Sequence, residues 1–131
     1  MTKSKILVVD DVAREWAGLL TAALTMKGHT VFNTDMGQGA LRIIKENPEI
    51  RAVFCNCEFL TPKLDAFELT RELRKSENGS RIRIILISDN WSQDMSSLAL
   101  AAGANFHFAD VNPHDIPRLV KDVEFWTRKF A

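Results

Sequence analysis

Four carboxylates and one hydroxyl stand at the ends of apolar runs in this chain. Asp10 and Asp11 close "ILVV", Glu58 closes "AVFCNC", Asp110 follows "FHFA", and Ser88 closes "IRIILI". A run of this kind delivers its last polar group to somewhere in particular. Carboxylate oxygens are hard donors of the kind a divalent cation takes. Crowded together they repel, so a cation neutralises them or at least one carboxyl titrates above its usual range. The plainer alternative is a set of solvated strand ends, with Asp11 or its neighbour capping the helix that follows.

The elements that would carry these groups follow from periodicity. "KILVV" (5–9) is a short β-branched run, hence a buried strand. Val12, Trp16, Leu19, Ala23 and Met26 then follow a 4,3,4,3 spacing that marks one helix face, and Gly28 ends that helix. "TVFNT" (30–34) is a second strand, and "GALRIIKEN" a short helix stopped at Asn47-Pro48. "RAVFCNC" (51–57) is a third strand. Asp65 opens the helix "AFELTRELRKS", with Phe67, Leu69, Thr70 and Leu73 inward, and the charge run "RELRKSE" reads as a solvated face. "IRIILIS" (82–88) is a fourth strand. Met95, Leu98, Ala99 and Ala102 mark a helix ended by Gly103, and "NFHFA" (105–109) is a fifth strand. Ile116, Leu119, Val120, Val123 and Trp126 form the inner face of a last helix, with Pro117 in its first turn. Strands alternating with helices imply an α/β fold with a parallel sheet covered on both faces. Its site lies beyond the carboxyl ends of the strands, where strand order reverses.

The chain has 131 residues, 46% apolar and 26% charged, with zero net charge. This reads as one globular domain over residues 1–131, large enough to bury a core without disulfides or metal. The absence of a basic field argues against direct nucleic-acid binding. No run is long and apolar enough to span a bilayer. The opening "MTKSKILVVDD" lacks the apolar length of a signal peptide, so a cytoplasmic location is expected. Cys55 and Cys57 fall on one strand and point the same way, which suits buried, reduced thiols.

In the order and spacing of these motifs the chain resembles, over essentially its whole length, the receiver domain of bacterial two-component response regulators. The resemblance implies a flavodoxin-like doubly wound (βα)5 fold with a five-stranded parallel sheet in the order 2-1-3-4-5. Asp10 and Asp11 match the acidic pair that holds Mg²⁺ in that family. Glu58, four residues before Pro62, stands where the family has its phosphoacceptor aspartate. Metal ligands would then be Asp10, Asp11 and Glu58. Ser88 matches the hydroxyl that binds the phosphoryl group. Asp110, seven residues after Gly103, stands where the family has a lysine, and His107 stands at its aromatic switch position.

Those departures bear on the chemistry. A receiver takes a phosphoryl group from a histidine kinase onto a carboxylate nucleophile. Placed charges stabilise the transfer. Glutamate carries an extra methylene, and a misplacement of about 1 Å can cost on the order of 10²-fold in rate. Asp110 removes a positive donor and adds a negative charge. The expectation is a degenerate receiver, or pseudo-receiver, that acts by protein–protein contact and is not an enzyme. Its Glu58 either hydrogen-bonds Ser88 in an active-like state or points to solvent. The alternatives are a phosphorylation-competent response regulator and a small metal-dependent hydrolase. The expected partners are a histidine kinase or other signalling protein, or a second copy docked on the face of helix four, strand five and helix five. Leu98, Leu100 and His107 fall on that face, and Trp91, Phe125 and Phe130 add apolar surface.

Overall fold

The computed structural model describes residues 3–11, 13–57 and 64–129, with side chains described to residue 127. Val12, Glu58, Pro62 and Phe130 lie outside the described residues. The elements run β1 (Lys5–Val9), α1 (Glu15–Met26), β2 (Thr30–Thr34), α2 (Gly37–Glu46), β3 (Ile50–Asn56), α3 (Ala66–Lys75), β4 (Arg83–Ser88), α4 (Gln93–Ala102), β5 (Phe106–Ala109) and α5 (Ile116–Lys129). Short 3-10 turns at Gly79–Arg81 and Pro113–Asp115 precede β4 and α5. All pairings are parallel, and the sheet order is β2-β1-β3-β4-β5, as the resemblance implied.

The inner strands β1, β3 and β4 are nearly continuous apolar runs because both faces of the sheet are covered. Alternate residues serve opposite cores. Leu7, Val9, Val53, Cys55, Ile84 and Leu86 pack with α2, α3 and α4 through Ala40, Ile44, Leu69, Leu73 and Ala99. Ile6, Val8, Phe54, Ile85 and Ile87 pack with α1 and α5 through Trp16, Leu20, Leu24, Leu119 and Val123. Cys55 and Cys57 are buried and are not joined in a disulfide. Burial, and Cys57 next to it, push the Cys55 thiol pKa well above its ordinary value, so it is unreactive.

Local chemistry sets the helix ends. The Asp65 side chain accepts from the Glu68 N–H at 2.8 Å, and Glu68 reaches back to the Asp65 N–H, a capping box that starts α3. Gly103 ends α4 with φ of 114°, a left-handed conformation that a side chain would resist.

Two expectations need correction. The inner face of α1 is Trp16, Ala17, Leu20 and Leu24, while Leu19 is 41% and Met26 88% exposed. At about 100° per residue, Leu19 and Met26 fall off the flank of the buried arc. The segment is apolar nearly all round, so spacing alone did not choose the face. Nor is "RELRKSE" wholly solvated. Arg71, Glu72 and Lys75 are exposed, but Arg74 is half-buried and hydrogen-bonded to four acceptors.

Candidate functional site

The carboxyl ends of β1, β3 and β4 converge because these strands are neighbours in the sheet. Asp10, directly after β1, is only 6% exposed. A buried carboxylate needs donors, and this one has several. Its Oδ1 accepts the Asp11 N–H at 2.8 Å. Its Oδ2 accepts Trp16 Nε1–H at 3.0 Å and Asn56 Nδ2–H at 2.8 Å. Arg14 Nε lies 3.5 Å from the same oxygen. Asp11 is exposed, and its Oδ1 accepts the Ala13 N–H at 2.9 Å, which shapes the turn into α1.

Ser88 ends β4, buried. Its Oγ lies 2.8 Å from the Asn90 carbonyl oxygen and 2.8 Å from His107 Nε2 on β5. A hydroxyl has one proton to give. With that proton on the Asn90 carbonyl, His107 donates Nε2–H to Ser88 and leaves Nδ1 as a bare lone pair. Nδ1 is buried and has no hydrogen-bond partner, which fits this tautomer. Protonation would place an N–H there with no acceptor. Burial accordingly lowers the His107 pKa from its ordinary 6.5.

A histidine whose folded pKa is depressed binds fewer protons in the folded state than in the unfolded chain. Its stabilising contribution is therefore complete above pH of about 6.5 and is lost as pH falls through the folded value. Between pH 7.5 and 5.5 the melting temperature should fall more in the unsubstituted protein than in His107→Gln. Parallel pH profiles for the two proteins would rule the effect out.

Asp110 stands next to Ser88 through the backbone, its N–H donating to the Ser88 carbonyl at 3.0 Å. It has φ of 54°, a left-handed conformation that only short polar residues and glycine adopt readily. Its carboxylate is exposed and makes no hydrogen bond or ion pair among the described residues. The structure thus joins Ser88 to His107 and Asp10 to Asp11, but it leaves the Asp110 side chain apart. On the adjoining face Leu98 is 58% and Leu100 54% exposed, and Trp91 and Phe125 are also exposed. A cavity of about 350 Å³ beside His107 is lined by Trp91, Phe108, Val111, Asp115, Arg118 and Leu119, among others.

The sequence reading missed Arg14, Trp16 as a donor, and Asn56. One signal was available. Asn56 is an amide inside an apolar strand and needs a buried partner. Arg14 gave none, because it and Asp10 lie outside any helix and their spacing carries no expectation of contact. As for a metal, Asp10 and Asp11 are hard oxygen donors of the right chemistry for a divalent cation. Among the described residues, no group of three or more histidine, cysteine, aspartate or glutamate side chains comes together to hold one.

No family model matches the chain. Among curated proteins it is 30% identical over 86 residues to protein PilH of Pseudomonas aeruginosa, covering 65% of this chain and 67% of that one. It is 34% identical over 90 residues to "Probable transcriptional regulator ycf27" of Porphyridium aerugineum, covering 68% of this chain and 35% of that one. It is 32% identical over 103 residues to the gliding motility regulatory protein of Myxococcus xanthus, covering 77% and 12%. The matched stretch thus spans about a third of the first of these two and about an eighth of the second. Among solved structures, the receiver domain of a Pseudomonas aeruginosa sensor histidine kinase, crystallised with magnesium in its active-site cleft, is 29% identical with a TM-score of 0.78, covering 96% of this chain and 98% of that one. A CheY-like receiver domain from Methanospirillum hungatei shares the fold at 23% identity and a TM-score of 0.78, covering 99% and 100%. With the sheet order, the acidic pair after β1 and the hydroxyl that ends β4 in place, the chain belongs to the receiver domains of two-component response regulators.

Proposed function

We propose that this chain is an atypical receiver, a signalling module that works by protein–protein contact with phosphotransfer at Glu58 weak or lost. The observation that carries this reading is the Ser88–His107 hydrogen bond. In a receiver the strand-four hydroxyl binds the phosphoryl group, and here it is held by a neighbouring strand and a loop carbonyl. The residue after β5 is an exposed aspartate, which cannot donate to an anion. Asp10, Asp11 and Glu58 would hold a divalent cation, which when bound supplies positive charge to the pocket. The partner class is a histidine kinase or another signalling protein.

Intact mass after incubation with acetyl phosphate and MgCl2 tests the phosphotransfer part. The expected result is an unchanged mass. A stable gain of one phosphoryl group that disappears in Glu58→Gln would overturn it and favour a phosphorylation-competent regulator.

The contact surface is proposed to be the α4–β5–α5 face, on which a second copy or a partner docks. The exposed Leu98 and Leu100 support this. Truncating an apolar anchor in an interface commonly costs more than about 1 kcal/mol, roughly fivefold in affinity. Leu98→Ala or His107→Ala should weaken self-association or partner binding, read by sedimentation or pulldown. Leu98→Ala should leave the melting temperature nearly unchanged, because the side chain is exposed. Unaltered association in both variants would remove this face from the account.

A further inference from the structure

Arg14 reaches two acidic side chains that follow different strands. Its Nε is 3.5 Å from Asp10 Oδ2, and its Nη1 is 3.1 Å from Asp89 Oδ1 and 3.4 Å from Oδ2. Asp10 directly follows β1 and Asp89 directly follows β4, with β3 between those strands. The guanidinium therefore crosses the carboxyl end of β3, over the mouth of the crevice. Arg14 is the N-cap residue of α1, with extended backbone and no side-chain capping bond. Its side chain serves the crevice and not the helix end.

We infer that Arg14 is a built-in counter-ion of this pocket and competes with a divalent cation for Asp10. The oxygen it faces is the Asp10 Oδ2 that already accepts from Trp16 and Asn56. An incoming cation that takes this carboxylate must turn the guanidinium away and break its pairing with Asp89 as well. While it stays in place, its own positive charge repels a second one. The fork of the guanidinium suits this role, since it meets two carboxylates at once without being deprotonated. Because Arg14 is exposed, its hold is screened by salt and can be displaced, so the pocket becomes a weak cation site and not a closed one.

The inference rests on the acidic pair as a cation site and is independent of the contact reading. The test is titration of MgCl2, and separately MnCl2, into the unsubstituted protein, Arg14→Gln, Arg14→Lys and the double variant Asp10→Asn with Arg14→Gln. Binding is read by calorimetry. Arg14→Gln should bind Mg²⁺ about tenfold more tightly than the unsubstituted protein, the effect of removing one adjacent charge. Arg14→Lys should stay near the unsubstituted protein, and the double variant should lose the gain. Equal Mg²⁺ responses in the unsubstituted protein and Arg14→Gln, including none in either, would overturn the inference. So would a gain that survives Asp10→Asn. A phosphoryl adduct at Glu58 would overturn the function proposed above and leave this result standing.

Discussion

Arg74→Met should lower the stability of the protein by about 3 kcal/mol or more, and Arg74→Lys should recover only part of the loss. The guanidinium donates from Nε to the Gly103 carbonyl at 2.8 Å, from Nη1 to the Gly79 carbonyl and the Ile82 carbonyl, and from Nη2 to Asn105 Oδ1 at 2.7 Å. Asn105 Oδ1 in turn accepts the Ile84 N–H at 2.8 Å. One side chain thus ties the end of α3 to the turn before β4, to the end of α4 and to the start of β5. Burial, then the nearby Arg83, lower its pKa from the ordinary arginine value, yet arginine stays charged. Removing it leaves three carbonyls and one amide oxygen short of a donor, at about 1–3 kcal/mol for each that water cannot reach. Half-burial lets water relieve some of them, hence the lower total. Lysine cannot reproduce the planar fork. Urea unfolding measures the loss, and a change within about 0.5 kcal/mol, the range of ordinary surface substitutions, would show that the network carries no weight.

Glu58→Asp combined with Asp110→Lys should gain a phosphoryl group from acetyl phosphate and MgCl2, where the unsubstituted protein does not. Shortening the side chain restores the reach of the nucleophile, a correction of about 1 Å worth on the order of 10²-fold. A lysine after β5 restores a donor, and one such donor is worth roughly 10²–10³-fold. The Asp110 N–H is anchored to the Ser88 carbonyl, so a lysine there starts beside the hydroxyl that a phosphoryl group needs. The left-handed φ of 54° makes the substitution cost about 1 kcal/mol of stability, to be checked by melting. The Ser88–His107 bond is worth about 1 kcal/mol and yields to a charged ligand. Each single variant should fall far short of the pair. A folded double variant that gains no mass would mean that more than these two residues separates this pocket from a phosphorylatable one.

Much of this architecture was legible because it is written in local periodicity. Each strand is an apolar run bounded by turn residues, and "KILVV" and "TVFNT" match β1 and β2 residue for residue. Capping was legible too: Asp65 opens α3 and Gly103 closes α4, since both depend on residue type at a single position. The strand-end residues Asp10, Ser88 and Asp110 could be named because parallel crossovers force the carboxyl ends to one edge. Glu58 could be named in the same way, and its placement lies outside the described residues.

What periodicity could not carry was decided by contacts across the fold. In α1 apolar residues fall on more than one side, so only packing against β1, β3 and α5 could choose Trp16, Leu20 and Leu24 over Leu19 and Met26. Arg74 sits in a run of charges that looks solvated, and it is a structural hub only because β4 and β5 begin beside the end of α3. Arg14 and Asp89 are 75 residues apart, and His107 and Ser88 are 19 apart. Such pairings leave no trace in local spacing. They exist because the sheet order sets the ends of separate strands within hydrogen-bond reach, where burial favours partnered polar groups such as Asp10 and Ser88.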